Sequence, residues 1–171
     1  MDDRAIVASQ LGRIPRAFRR VVARCPYGFP AVTEQEPYDQ GGEPFPTTYY
    51  LTCKHLVAAI SRLEAAGGVE RWSTAATEEP ELAESLARAT EEQRRVRHEL
   101  AGGRRGSDDG MSLDLGIAGS RSALHLKCLH AHAAFALGRS GYDLGERILA
   151  EIEPTWPPDG CCSEELLGAH E

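Results

Sequence analysis

The sequence predicts an α+β fold: a small antiparallel β-sheet in the N-terminal third of the chain, packed against about four α-helices in a single domain. Residues rich in β-branched and aromatic side chains are concentrated between positions 17 and 52, as is typical of strands. After position 53, apolar residues repeat every three or four positions, as on one face of a helix. A length of 171 residues fits one domain with a substantial core.

Three strands are predicted for the sheet. Residues 17–23 and 31–36 form a hairpin around the turn CPYGFP, in which Pro26 fixes one backbone dihedral and Gly28 permits a positive φ. Residues 45–52, FPTTYYLT, give the clearest strand pattern in the chain.

Helices are predicted from apolar periodicity and from the residues that favour helix ends. Residues 4–12 form a short candidate helix that ends at Gly12, and the longer helices lie near 53–66, 80–100, 122–138 and 143–152. Thr52 is the expected N-cap of the first long helix, and a Gly-Gly pair is expected to end it. Cys53 would then lie in the first turn, where the positive end of the helix dipole favours a thiolate.

The predicted domain covers residues 1–153. Within it, the glycine-rich stretch of about 101–116 is expected to be a mobile loop. Residues 154–171 form an acidic tail that is expected to be disordered. Its adjacent Cys161 and Cys162 could bind metal or oxidise, but are expected to be solvent-exposed and without a role.

Composition indicates a cytoplasmic protein. No apolar run approaches the roughly 20 residues that span a bilayer, and the N-terminus lacks the basic-then-apolar order of a signal peptide. Five cysteines, an odd number, fit a reducing compartment better than a disulfide framework. The net charge of −7 makes nucleic acid an unexpected partner.

The segment HLKCLHAHAAFAL, residues 125–137, places one cysteine and three histidines in an apolar helical pattern. On a continuous helix Cys128 and His132 lie one turn apart on the same face, a spacing that lets both reach one ion. A helix that starts later would leave Cys128 and His130 in an extended segment, where a two-residue spacing gives them a common face. The sequence leaves both starting points of the helix open.

A weaker candidate site precedes this segment. Gly119, Ser120 and Arg121 would lead into a helix N-terminus that begins near residue 122, where backbone amides and a guanidinium could hold an anion. The stretch lacks the lysine and hydroxyl pair of a phosphate-binding loop.

Three ordered motifs, RCPYGFP at 24–30, PFPTTYYLTC at 44–53 and KCLHAH at 127–132, resemble an uncharacterised bacterial family, domain of unknown function 501. The resemblance covers roughly residues 8–153. It implies a small cytoplasmic protein and carries no established activity. Each motif contains a cysteine, namely Cys25, Cys53 or Cys128.

The leading hypothesis is a tetrahedral zinc site made by Cys25, Cys53, Cys128 and either His130 or His132, with an iron–sulfur cluster a less favoured alternative. A second hypothesis is an enzyme in which the thiolate of Cys53 or Cys25 is paired with His132 or His130 as base. A third is an interaction module whose basic N-terminal hairpin binds an acidic partner; its arginines are Arg13, Arg16, Arg19, Arg20 and Arg24.

Overall fold

The computed structural model describes residues 2–122 and 125–164, and its sheet is the predicted one. The strands β1 (Phe18–Arg24), β2 (Pro30–Gln35) and β3 (Tyr49–Leu51) pair antiparallel in the order β1-β2-β3. β2 is central and buried along its whole length. β3 is shorter than its sequence pattern predicts. Pro44 and Pro46, which have no amide to donate to a ladder, precede it.

The described residues contain six α-helices, whereas the sequence predicts about four and a short N-terminal candidate. They are α1 (Asp3–Leu11), α2 (Lys54–Ala65), α3 (Gly68–Glu78), α4 (Pro80–Ala101), α5 (Leu129–Gly138) and α6 (Asp143–Ala150). One short 3₁₀ helix, Met111–Asp114, lies within the glycine-rich stretch, and a second, Ile117–Gly119, follows it. The α+β class and the single-domain organisation are confirmed.

The helix that sequence periodicity does not predict is α3. Gly67, at φ 85°, both follows the end of α2 and acts as the N-cap of α3, so the Gly-Gly pair connects two helices. Trp72 and Ala76 bury the inner face of α3 against the core. The Gly-Gly pair therefore turns the chain from α2 into α3, whereas the sequence predicted only the end of a helix.

The start of α5 differs from the prediction of residue 122. Cys128 has extended backbone angles, φ −155° and ψ 148°, and the helix begins at Leu129. Amides on both sides of Cys128 bind side chains of other helices: Leu126 N donates to Ser73 Oγ at 3.1 Å and Leu129 N to Glu64 Oε1 at 2.6 Å. Tertiary hydrogen bonds thus replace the helical ones, and the later start considered above is the one observed.

Helix α5 forms the centre of the core. Its alanine-rich surface packs against the sheet on one side and α6 on the other. Gly145 of α6 makes that approach possible, because a Cβ there would lie 2.7 Å from both the Ala136 Cβ and the His132 carbonyl oxygen.

The segment after α6 returns across the N-terminal part of the molecule. The Tyr27 hydroxyl donates to the Pro157 carbonyl at 2.6 Å, and Gln10 Nε2 donates to the buried Ser163 Oγ at 3.0 Å. Trp156 packs against the main core. Residues 165–171 of the predicted tail lie outside the described residues. In the part of the chain that is described, no helix is long and apolar enough to cross a bilayer.

Candidate metal centre

Three potential metal ligands converge where α2 ends and α5 begins. One ligand atom each of Glu64, Cys128 and His130 lies within 4.8 Å of the other two. Across residues 2–122 and 125–164 this is the one group of three or more histidine, cysteine or acidic side chains that is so compact. All three residues are half-buried.

The C-terminal end of α2 and the N-terminal end of α5 position these side chains. Glu64 is the penultimate residue of α2, Cys128 is the N-cap of α5, and His130 lies in the first turn of α5. The hydrogen bond from Leu129 N to Glu64 Oε1 joins the helix ends directly. The carboxylate thereby occupies the positive N-terminus of α5, where a negative charge is stabilised.

The imidazole of His130 is held on both nitrogens. Its Nδ1 lies 3.1 Å from Glu64 Oε1, while its Nε2 lies 3.3 Å from the Val57 carbonyl oxygen and 3.2 Å from Ser61 Oγ. The Val57 carbonyl and the Glu64 carboxylate only accept, whereas the Ser61 hydroxyl can donate or accept, so either neutral tautomer fits these contacts in part. In the tautomer with the proton on Nε2, the Nδ1 lone pair faces a carboxylate oxygen.

The environment of Cys128 favours the protonated thiol in the absence of a cation. Burial raises its pKa, and the Glu64 carboxylate adds to this, whereas the amides of Ala131 and His130 act in the opposite direction. A positive charge between the thiol and Glu64 would instead favour the thiolate form of Cys128.

A cavity of about 330 Å³ opens beside this group. Cys128 and His130 form part of its wall, and the remainder is mostly apolar: Thr47, Tyr49, Tyr50, Leu51, Val57 and Ala131. An apolar pocket with a few convergent polar groups is typical of a small-molecule site.

The structure does not bring Cys25 and Cys53 to this group. The sulfur of Cys25 lies 3.7 Å from that of Cys161, and the sulfur of Cys53 lies 3.7 Å from that of Cys162. The four-ligand site expected from Cys25, Cys53, Cys128 and a histidine is therefore not assembled, because Cys128 faces α2 whereas the other two thiols face the returning C-terminal segment. Cys161 and Cys162, expected to be solvent-exposed, are half-buried.

His132 is separated from the ligand group. It is fully buried, and its Nδ1 lies 2.7 Å from the Tyr142 hydroxyl. Burial lowers its pKa to about 3. The predicted pairing of His132 with Cys128 on one face is not observed, since Cys128 precedes the helix, and His132 is a structural residue of the α5–α6 interface. Within residues 2–122 and 125–164, neither Cys25 nor Cys53 has a histidine ring as a hydrogen-bond partner.

The segment proposed for an anion does not have the expected geometry. Gly119 ends a 3₁₀ helix at φ 70°, Ser120 Oγ donates to the Ser122 carbonyl oxygen, and α5 begins only at Leu129. Gly119, Ser120 and Arg121 therefore do not lead into a helix N-terminus, which was the basis of that prediction.

The basic N-terminal hairpin is largely neutralised within the molecule. Arg16 pairs with Asp39, Arg24 with Asp3, and Arg19 and Arg20 both pair with the buried Glu34. Arg13 donates to the Tyr50 hydroxyl. An acidic partner stays a prediction, and these ion pairs would compete with it.

Sequence reasoning missed Glu64, although a signal was present. A carboxylate in the last turn of a helix opposes the helix dipole and therefore needs a compensating contact elsewhere. Here that contact is the N-terminus of α5 together with His130.

The fold and the site define a small α+β protein with a Glu/Cys/His group that could hold a metal ion. The chain belongs to the family described as "Protein of unknown function (DUF501)", which matches residues 21–150 and confirms the resemblance seen in the three motifs. Comparison with curated proteins and with solved structures gives no match.

Proposed function

We propose that this protein binds a divalent transition metal, with zinc the expected ion, through Glu64, Cys128 and His130. A thiolate, an imidazole and a carboxylate are the ligand types that zinc takes in proteins. Three protein ligands leave a fourth tetrahedral position for water or a small ligand. The site differs from the closed structural centre that the sequence suggested.

The arrangement around His130 carries the proposal. With Nε2 donating to Val57 O, the Nδ1 lone pair and Glu64 Oε1 are two acceptors only 3.1 Å apart. A metal ion bound by both atoms would satisfy them in this tautomer, whereas without an ion the other tautomer, with Nδ1–H donating to Glu64 and Nε2 accepting from Ser61, does so. Zinc bonds of about 2.0–2.1 Å to nitrogen and oxygen place tetrahedral ligands about 3.3 Å apart, close to that separation. The Val57 carbonyl then serves as the outer partner that fixes the tautomer of a ligating histidine.

The adjoining cavity supports a binding role for the fourth position. Its walls are mainly apolar, and Cys128 and His130 are the two members of the ligand group that line it. A metal at this place would offer a small ligand one strong polar anchor within an apolar enclosure. We propose an uncharged or weakly polar compound with one oxygen or sulfur donor as the ligand class.

Metal content of the full chain tests the site. Purified without a histidine tag, the Cys128→Ser and His130→Ala variants are expected to contain one equivalent of zinc less than the wild type, as measured by inductively coupled plasma mass spectrometry. Glu64→Gln keeps the shape of the side chain and should weaken zinc binding by at least tenfold in a competition titration with a chromogenic chelator.

His125→Ala is the matched control, because His125 is exposed and lies outside the group. Its metal content should equal that of the wild type. Equal zinc content in the wild type, Cys128→Ser and His130→Ala would contradict the proposal.

A cysteine-dependent enzyme is the second candidate, with Cys128 as nucleophile in place of Cys25 or Cys53. The proximity of Cys128, His130 and Glu64 beside a cavity favours it. The raised pKa of Cys128 weakens it, since the thiolate is the reactive form. Alkylation of metal-free protein at pH 7 distinguishes the two candidates: we expect Cys128 to react more slowly than free cysteine, whereas faster reaction would favour the enzyme.

A further inference from the structure

We propose that Cys25, Cys53, Cys161 and Cys162 form a second, all-thiolate zinc site that fastens the returning C-terminal segment to the sheet and to α2. Four of the five cysteines meet here as two sulfur pairs, joined by the peptide bond between Cys161 and Cys162. This site is independent of the Glu64, Cys128 and His130 group.

The sulfur separations fit a shared ion. Each pair has its sulfurs 3.7 Å apart, whereas a disulfide bond requires about 2.05 Å. Zinc–sulfur bonds of about 2.3 Å in a tetrahedron place neighbouring sulfurs about 3.8 Å apart. Each pair thus already has the spacing of one edge of a zinc tetrathiolate.

The two pairs must draw together to complete the tetrahedron. Among the described residues no three of these sulfurs all lie within 4.8 Å of one another. Cys161 and Cys162 are consecutive, so their Cα atoms are about 3.8 Å apart, and rotation about their Cα–Cβ bonds is the movement by which the two pairs would approach each other.

Backbone amides surround these sulfurs, as they do in metal–thiolate sites. Ser163 N donates to Cys161 Sγ at 3.4 Å. The His55 and Lys54 amides donate to the sulfur of Cys162. Those amides belong to the start of the twelve-residue helix α2, whose N-cap is Cys53. Burial raises the pKa of Cys53 to about 12, against the expectation from the helix dipole, and that of Cys161 to about 11, so a cation is needed to hold these thiols as thiolates.

Contacts that do not involve sulfur place the same segments together. Gln10 Nε2 donates both to the Pro30 carbonyl and to Ser163 Oγ, and the Tyr27 hydroxyl donates to the Pro157 carbonyl. His55 Nε2 lies 3.0 Å from the Pro154 carbonyl oxygen. The C-terminal segment is thus positioned over the Cys25 turn and the start of α2 before any ion binds.

Binding is an acid–base exchange without a redox step. Four zinc–sulfur bonds form, four S–H bonds break, and the protons pass to the buffer, leaving a site of net charge −2. Zinc affinity should therefore rise with pH while the thiols are being deprotonated.

The zinc content of the Cys161→Ser/Cys162→Ser double variant is the main test. The full chain, purified reduced and without a histidine tag, should lose one equivalent of zinc in this variant and in Cys25→Ser. Cys128→Ser is the matched control and should retain this equivalent. Because each variant reports on one site, either site can fail while the other is retained.

Cobalt substitution identifies the ligands. Cobalt bound at a four-thiolate site absorbs strongly in sulfur-to-metal charge transfer. This absorption should persist in Cys128→Ser and should fall in the double variant to the weaker absorption of the one-thiolate site at Cys128. In the wild type, zinc should protect these four cysteines from alkylation, as mapped by peptide mass spectrometry; this readout does not depend on any variant folding. Unchanged zinc in the double variant, unprotected cysteines, or a zinc-free protein with Cys25–Cys161 and Cys53–Cys162 disulfides would each overturn the proposal.

Discussion

Acidification is expected to cost the folded state about 1.4 kcal/mol for each pH unit below about 6.5 through His132. The imidazole is fully buried, and burial lowers its pKa from 6.5 to about 3. In the unfolded chain the ring takes up its proton near pH 6.5, whereas in the folded chain it stays neutral until about pH 3. The stabilisation is complete above pH 6.5 and is lost progressively as the pH falls to 3.

The accumulated loss is large compared with the stability of a domain. Between pH 6.5 and 3 it amounts to roughly 4–5 kcal/mol, a substantial part of the 5–15 kcal/mol typical of native proteins. The Tyr142 hydroxyl does not offset it, because its contact with Nδ1 can be made by the neutral ring.

Urea denaturation at several pH values measures this effect. The carboxylates also titrate in this range, so the informative quantity is the difference between the wild type and His132→Asn, which keeps a polar group near the Tyr142 hydroxyl but does not titrate. The variant should have the shallower dependence on pH. The exposed His125 provides the control, and His125→Asn should follow the wild-type profile. Parallel profiles for the wild type and His132→Asn would contradict the assignment.

Replacing Gly145 with alanine should destabilise the protein by roughly 1–3 kcal/mol, although the intrinsic preference of the helix points the other way. Alanine in a helix interior is favoured over glycine by up to about 1 kcal/mol. A Cβ on Gly145 would, however, lie 2.7 Å from the His132 carbonyl oxygen, from the Ala136 Cβ and from the Tyr142 ring. One of these contacts is backbone, so α5 and α6 must move apart.

Thermal unfolding decides between the two effects. A loss of that size corresponds to a fall in Tm of about 3–10 °C for a chain of this length. Gly41→Ala is the control, since the nearest atom to its Cβ would be Asp39 Oδ1 at 3.4 Å, an ordinary contact, and Tm should change little. An unchanged or higher Tm for Gly145→Ala would show that helix propensity outweighs the packing.

The sheet and most helices could be predicted because their signals are local. Alternating apolar residues, a Pro/Gly turn and a proline at a helix start each act within a few residues, and the observed strands and helices agree with them. The prediction was wrong about the start of α5, where the Ser73 hydroxyl and the Glu64 carboxylate bind amides that a helix would otherwise use. Those two residues are 53 and 65 positions away from their partners, beyond any local pattern.

The candidate site shows the same difference between local sequence signals and tertiary contacts. Sequence motifs singled out Cys25, Cys53, Cys128 and either His130 or His132. The structure places the three cysteines and His130 beside other possible ligands, whereas His132 is buried against Tyr142. The motifs could not show that the thiols separate into two places, or that Glu64, Cys161 and Cys162 supply the neighbours.

By itself the sequence determined the α+β class, the hairpin around Cys25, the family and some of the candidate metal ligands, because each of these depends on residue type and short spacing. Only the tertiary structure decided which side chains meet: the return of residues 154–164 over the hairpin, and the packing of the end of α2 against the start of α5. Such contacts join positions far apart in the chain and depend on the shape of the whole core, which no short stretch of sequence contains.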